Sequence, residues 1–239
     1  MNLEEQTPTT DNTPRPFMEI PGLWMQLGQM TESFFAKEVS RVSNANTFYG
    51  VLLFTFVSTV VSVIQSLLGG LIDPSINSPD GLQTGLMSKT GFSILYLFCF
   101  GIFLIPISFY LNNAITFLCA KIFGGKGSFS SQAYLSSLFI VPLGIISSVA
   151  SLIILIPIVG SCIGGLIVFG ILIAQLIFTV RALKAVHGFT TGRAVSAILL
   201  PLIVFLVIPV CLIAILALMG PQIGNVFSNI LTEIGTPVP

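Results

Sequence analysis

The chain has 239 residues, of which 54% are hydrophobic and 8% charged, and its formal net charge is zero. A soluble domain of this size needs about 25% charged residues to cover its surface, so a water-soluble globule is excluded, and the mean hydropathy of +1.00 agrees. With no net charge there is no global basic field, which speaks against nucleic acid as a partner.

Residues 1–16 hold Glu4, Glu5 and Asp11 among Thr and Pro and read as a disordered polar tail. They lack the apolar core of a secretory signal, so the first span is expected to direct insertion. In residues 17–45, Leu23, Leu27, Met30 and Phe34 recur at helical spacing, with Trp24 and Phe35 beside them. Glu32, Lys37, Glu38 and Arg41 cluster toward the C-terminal end of this segment. The pattern predicts an amphipathic helix. It lies either in the membrane interface, with Trp24 as an anchor at headgroup depth, or packed on the ends of the bundle.

Five segments that follow contain no Asp, Glu, Lys or Arg: residues 48–72, 92–117, 132–156, 158–180 and 194–219. About 20 helical residues cross the hydrocarbon, and lipid forces each crossing to satisfy its own backbone as a helix. The run 132–180 has no charged break, and Pro157 and Gly160 mark the turn of a hairpin or of a re-entrant pair. The expected architecture is an all-α integral membrane protein: a bundle of five transmembrane helices over residues 46–220 with an N-terminal amphipathic helix. A C-terminal tail occupies residues 221–239.

Charge sets the orientation. With the N-terminus in the cytoplasm, Arg15, Lys37, Arg41, Lys121, Lys126, Arg181, Lys184 and Arg193 fall on that side, eight of the nine Lys and Arg. Only Lys89 lies opposite, beside Asp73 and Asp80, as the positive-inside rule requires. Lys121, Lys126, Arg181, Lys184 and Arg193 are predicted to form one cytoplasmic basic patch, with each cation worth about 1 kcal/mol beside anionic headgroups.

Inside the spans, Gly160 with Gly164 and Ser161 with Gly165 form two small-xxx-small pairs, the pattern that lets helices pack closely or dimerise. Pro106, Pro142, Pro201 and Pro209 are expected to kink their helices. Asn112 and Asn113 are expected at the cytoplasmic interface where the second helix bends or ends, the alternative being the lining of a pathway. Cys99, Cys119, Cys162 and Cys211 show no metal-ligand spacing and read as small buried hydrophobes. His187 is the only histidine and reads as part of a short basic loop. One histidine makes neither a metal site nor a catalytic triad, so no catalytic residue, metal or cofactor is assigned.

Two stretches resemble the Yip (Ypt-interacting protein) domain family. The first is Gly124-Gly125-Lys126-Gly127-Ser128-Phe129, then Ala133-Tyr134 and Ser137-Leu138-Phe139-Ile140-Val141-Pro142. The second runs from Ile156-Pro157-Ile158-Val159-Gly160 to the exit Leu183-Lys184-Ala185-Val186-His187-Gly188 before a last helix beginning near Ala194. The resemblance implies a five-span domain with a cytoplasmic N-terminus. Eukaryotic relatives bind Rab-type GTPases in vesicle traffic through a tail element Asp-Leu-Tyr-Gly-Pro. Here the nearest text is Thr47-Phe48-Tyr49-Gly50-Val51, so the resemblance does not carry Rab binding over. It points instead to the bacterial branch and the bacterial inner membrane.

The function expected is that of a non-enzymatic, membrane-organising or trafficking-type scaffold. Its partners would be the lipid bilayer, anionic lipid, a membrane-protein partner or a second copy. The alternative is a small-solute transporter or channel subunit, which a polar cavity at membrane depth would favour.

Overall fold

The computed structural model describes residues 13–72, 97–156 and 159–235. Pro157, Lys89, Asp73 and Asp80 lie outside them. Among the described residues every regular element is helical. Two short helices, α1 (Ile20–Trp24) and α2 (Glu32–Glu38), precede five long ones. These are α3 (Asn44–Ile72), α4 (Ile102–Ile122), α5 (Phe129–Ala150), α6 (Val159–His187) and α7 (Thr191–Gly235). All five are long and apolar enough to cross a bilayer, so the chain is an integral, multi-pass membrane protein.

Helix α5 is the spine. Its residues Gln132, Ala133, Tyr134, Leu135, Ser136, Ser137, Leu138 and Phe139 are all buried, an uninterrupted run no single stripe could give. A helix buried all round must have neighbours on every side. Here α3, α4, α6 and the N-terminal segment supply them. Pro142 is buried within α5 and does not end it.

The ends of the helices follow from local chemistry. Ser43 caps α3 by accepting the Asn46 N–H at 3.3 Å, and Ser128 caps α5 by accepting the Ser131 N–H at 3.1 Å. Helix α4 closes in a left-handed turn at Gly124, φ +83°. The Gly124 N–H returns to Lys121 O at 3.0 Å and the Gly125 N–H to Ala120 O at 2.9 Å. That pair of bonds satisfies the last free carbonyls of the helix.

The N-terminal amphipathic segment is helical in short pieces. Turns of 3-10 helix at Phe17–Glu19, Leu27–Gln29 and Val39–Arg41 separate and flank α1 and α2. Across these breaks Ile20, Leu23, Met30 and Phe35 all reach the bundle and are buried there.

At the other terminus, α7 packs through Ala194 and Ala197, both fully buried, and residues 202–230 are exposed. The helix passes Met219 and continues through Pro221 to Gly235, into the residues read from sequence as a C-terminal tail. Ile223, Val226, Phe227 and Ile230 keep the i, i+3, i+4, i+7 spacing past that proline. Its 45 residues make a rod of about 68 Å.

Candidate functional site

One end of the bundle gathers the N-terminal segment, the α4–α5 loop and the α6–α7 loop, and with them all the described Lys and Arg. This basic end is built in two interlocking pieces.

The first piece joins the two loops. Helix α6 ends at His187, where Gly188 takes φ +67° and returns its N–H to Lys184 O at 2.9 Å. The turn drives the His187 ring inward. It is 3% exposed and stacks on Phe189 with centroids 5.3 Å apart. Its Nδ1 accepts the Gly127 N–H at 3.2 Å, so Nε2 carries the proton and donates to Gln132 Oε1 at 2.9 Å. Gln132 Nε2 then donates to Asn113 O at 3.0 Å.

Gly127 is pressed so closely on Val186 that a β-carbon there would collide with it. Across the loop, Lys121 Nζ donates to Gly125 O at 3.1 Å and Gly127 O at 3.0 Å. The plain-loop reading of His187 is therefore corrected. The residue is buried at a helix end, because its ring supplies an acceptor and a donor to groups that would otherwise be buried unpaired.

The second piece clamps the N-terminal segment on top. Ile20, Leu23, Met30 and Phe35 pack on Tyr134, Leu135, Leu138 and Phe139 of α5 and on Ala182 and Val186 of α6. Glu38 is 2% exposed. Arg15 holds it through Nε, at 3.1 Å from both carboxylate oxygens, and through Nη2 at 2.7 Å from Oε1. Tyr134 Oη donates to Glu38 Oε2 at 3.3 Å. The hydrogen bond to Glu38, ahead of the opposing cost of burial, raises Arg15 above its ordinary pKa. Asn46 Nδ2 donates to Arg15 O at 2.7 Å and fixes the backbone there. Arg15, read from sequence as part of a disordered tail, is thus held on two sides.

The five residues of the expected basic patch have different surroundings. Arg181 Nη1 donates to Met30 O at 2.9 Å, and Lys184 Nζ pairs with Glu32 Oε2 at 2.7 Å. Lys121 bonds the glycine loop. Lys126 and Arg193 are exposed. Trp24 is half-buried, its indole packed over Gly50 of α3 beside Val141 of α5.

In the small-residue set, Gly160 and Gly164 are buried, whereas Ser161 and Gly165 are exposed. The buried pair faces the 3-10 turn Ser151–Leu155: a β-carbon at Gly160 would strike Ile153 O, and one at Gly164 would lie 2.5 Å from Ile154 Cγ1. These two glycines thus make room for the chain's own hairpin turn.

Asn112 and Asn113 lie well inside α4, which runs nine residues past Asn113 to Ile122, about 14 Å. The helix does not end at this pair, because the apolar run after it stays helical up to the glycine turn. Asn113 is buried and turns its Nδ2 back to Phe109 O at 2.9 Å. Asn112 is exposed on a cavity of about 330 Å³ between α3, α4, α5 and α6, shared with Ser108, Gln175 and Thr179. The cysteine reading is corrected as well: Cys119 is buried, while Cys99, Cys162 and Cys211 lie on outer helix faces, where lipid accepts a thiol as readily as a core does.

Sequence reasoning passed over Glu38, Gln132 and His187 as partners. Each has its partners 19 to 96 positions away. Tyr134 carried a signal, as the aromatic residue of the family-like stretch. No curated protein and no solved structure matches the chain. Residues 32–218, from α2 to the middle of α7, match the Yip1 domain. The match takes in the loop clasp and, of the N-terminal clamp, Phe35 and Glu38 with their partners on α5 and α6, and the chain belongs to the Yip1 domain family.

Proposed function

We propose that the protein is a non-enzymatic, membrane-organising scaffold whose basic end is a fixed docking face in the cytoplasm, where it meets anionic lipid or a protein partner. The observation that carries this reading is the clamp itself. Arg15, Glu38 and Tyr134, together with one N–H of Arg181, hold the amphipathic segment in one place. Such a device preorganises a surface. The exposed Lys126 and Arg193 supply charge toward headgroups. The positive-inside rule orients this end toward the cytoplasm, and the resemblance to the bacterial branch supports the inner membrane.

A photocrosslinker at Lys126 or Arg193 should capture anionic lipid or one recurrent protein band in native membranes. Capture equal to that of a probe at Leu216, far out on α7, would sink the reading.

A second reading, a path for a small solute, is favoured by the cavity at Asn112, because amides at membrane depth are costly without a purpose. Proteoliposome flux of glycerol or urea decides it. Flux lost in Thr179→Val and Asn112→Leu would establish the path and displace the scaffold reading.

A further inference from the structure

We infer that the groove between α6 and α7 is a binding site for one anionic phospholipid, its phosphate at Arg181 and Lys184 and one acyl chain lying along the helices. The inference rests on the reading of the basic end as a surface that meets anionic lipid. It names the place and the stoichiometry.

The groove has a volume of about 390 Å³, which falls in the range of roughly 300–1,000 Å³ usual for ligand sites. Its walls are apolar: Leu176, Ile177 and Val180 from α6, Val195 and Ile198 from α7. Arg181, Lys184 and Glu32 stand at one end of it. From Lys184 down to Leu176 is eight residues of helix, about 12 Å of apolar wall below a charged mouth. Head and tail chemistry are thus separated along one axis, as they are in a phospholipid. A soluble anion would have no use for the wall, and a neutral lipid none for the mouth.

Charge complementarity fixes the head. Two cations face one carboxylate, which leaves one positive charge over, the charge that the single net negative charge of an anionic phospholipid headgroup neutralises. The Lys184–Glu32 pair is no obstacle, since the Glu32 side chain is 55% exposed and exposed pairs contribute little. Arg181 gives one N–H to Met30 O, and its guanidinium has other donors to offer. Thr191 also lines the groove and opens α7, so the positive end of that helix dipole lies at the same mouth.

The test uses the full chain in phosphatidylcholine nanodiscs with and without phosphatidylglycerol, reading retained lipid by native mass spectrometry. One phosphatidylglycerol per chain is expected. Arg181→Gln and Lys184→Gln should each weaken retention about fivefold. Ile198→Trp, which fills the wall, should abolish it. Glu32→Gln removes the competing carboxylate and should strengthen retention, a gain that no misfolded variant would give. Lys126→Gln with Arg193→Gln should leave the groove lipid in place.

If the groove variants retain lipid and the Lys126 and Arg193 pair loses it, the groove is overturned while the lipid-facing surface stands. If the wild type shows no preference for phosphatidylglycerol, the groove is overturned, and the crosslinking at Lys126 and Arg193 separately decides the surface.

Discussion

His187 Nδ1 accepts the backbone N–H of Gly127, 60 positions earlier in the chain, at 3.2 Å. That bond locks the α6–α7 connection to the α4–α5 loop. The ring answers three needs at once, since it also donates to Gln132 and stacks on Phe189. His187→Ala should leave the half-buried Gly127 N–H and the buried Gln132 Oε1 unpaired. At roughly 1–3 kcal/mol per orphaned group, the loss is about 2–6 kcal/mol. His187→Asn keeps an acceptor for Gly127 and should lose less. Denaturation of both variants in mixed detergent checks the order, and equal losses would mean that packing, not hydrogen bonding, is what matters.

Glu38 anchors the N-terminal segment. In Glu38→Ala, Arg15 loses its buried carboxylate and keeps the exposed Glu19, and Tyr134 loses its acceptor. Arg15 keeps some contact with solvent, its side chain being 21% exposed, so the expected loss is about 1–3 kcal/mol rather than the larger figure for a wholly buried pair. The effect should be local. Limited proteolysis should cut within residues 17–43 much faster while the bundle stays intact. Tyr134→Phe removes one hydrogen bond and should cost about 1 kcal/mol. An unchanged cleavage rate in Glu38→Ala would show that the apolar contacts alone hold the segment.

Gly164 and Gly101 separate packing from mere smallness. A β-carbon at Gly164 would lie 2.5 Å from Ile154 Cγ1, whereas at Gly101 it would lie 3.4 Å from Thr59 Oγ1. Gly164→Ile should therefore lower the thermal midpoint in detergent more than Gly101→Ile does, with overpacking costing about 1–3 kcal/mol. Gly165, whose β-carbon would meet nothing within 4 Å, should tolerate alanine. A worse outcome for Gly101→Ile would contradict the assignment of the packing face.

Orientation remains a prediction of charge. Single cysteines at Thr9 and Thr236, two positions outside the described residues, are placed in a background lacking Cys99, Cys119, Cys162 and Cys211. An impermeant thiol reagent applied to intact cells should label Thr236→Cys and spare Thr9→Cys. Labelling of both, or of neither, would require an even number of crossings.

Read alone, the sequence establishes that the chain is a helical membrane bundle, how many helices are long and apolar enough to cross, and roughly where each one lies. These are matters of composition along the chain: uncharged runs such as 48–72 and 194–219 must be helical in lipid, and nothing distant alters that. Glycines at 124 and 188 could be read as punctuation for the same local reason. How the basic end is assembled follows from contacts between segments far apart in the chain. A lone histidine near Lys184 and Arg181 reads as a surface loop until Gly127 and Gln132 are folded against it. Glu38 reads as the polar side of an amphipathic helix until Arg15 and Tyr134 close on it. Whether a polar side chain in apolar surroundings is solvated or paired depends on a partner that hydrogen-bond geometry brings within about 3 Å, and separations of 55 to 96 residues leave no periodic trace in the sequence.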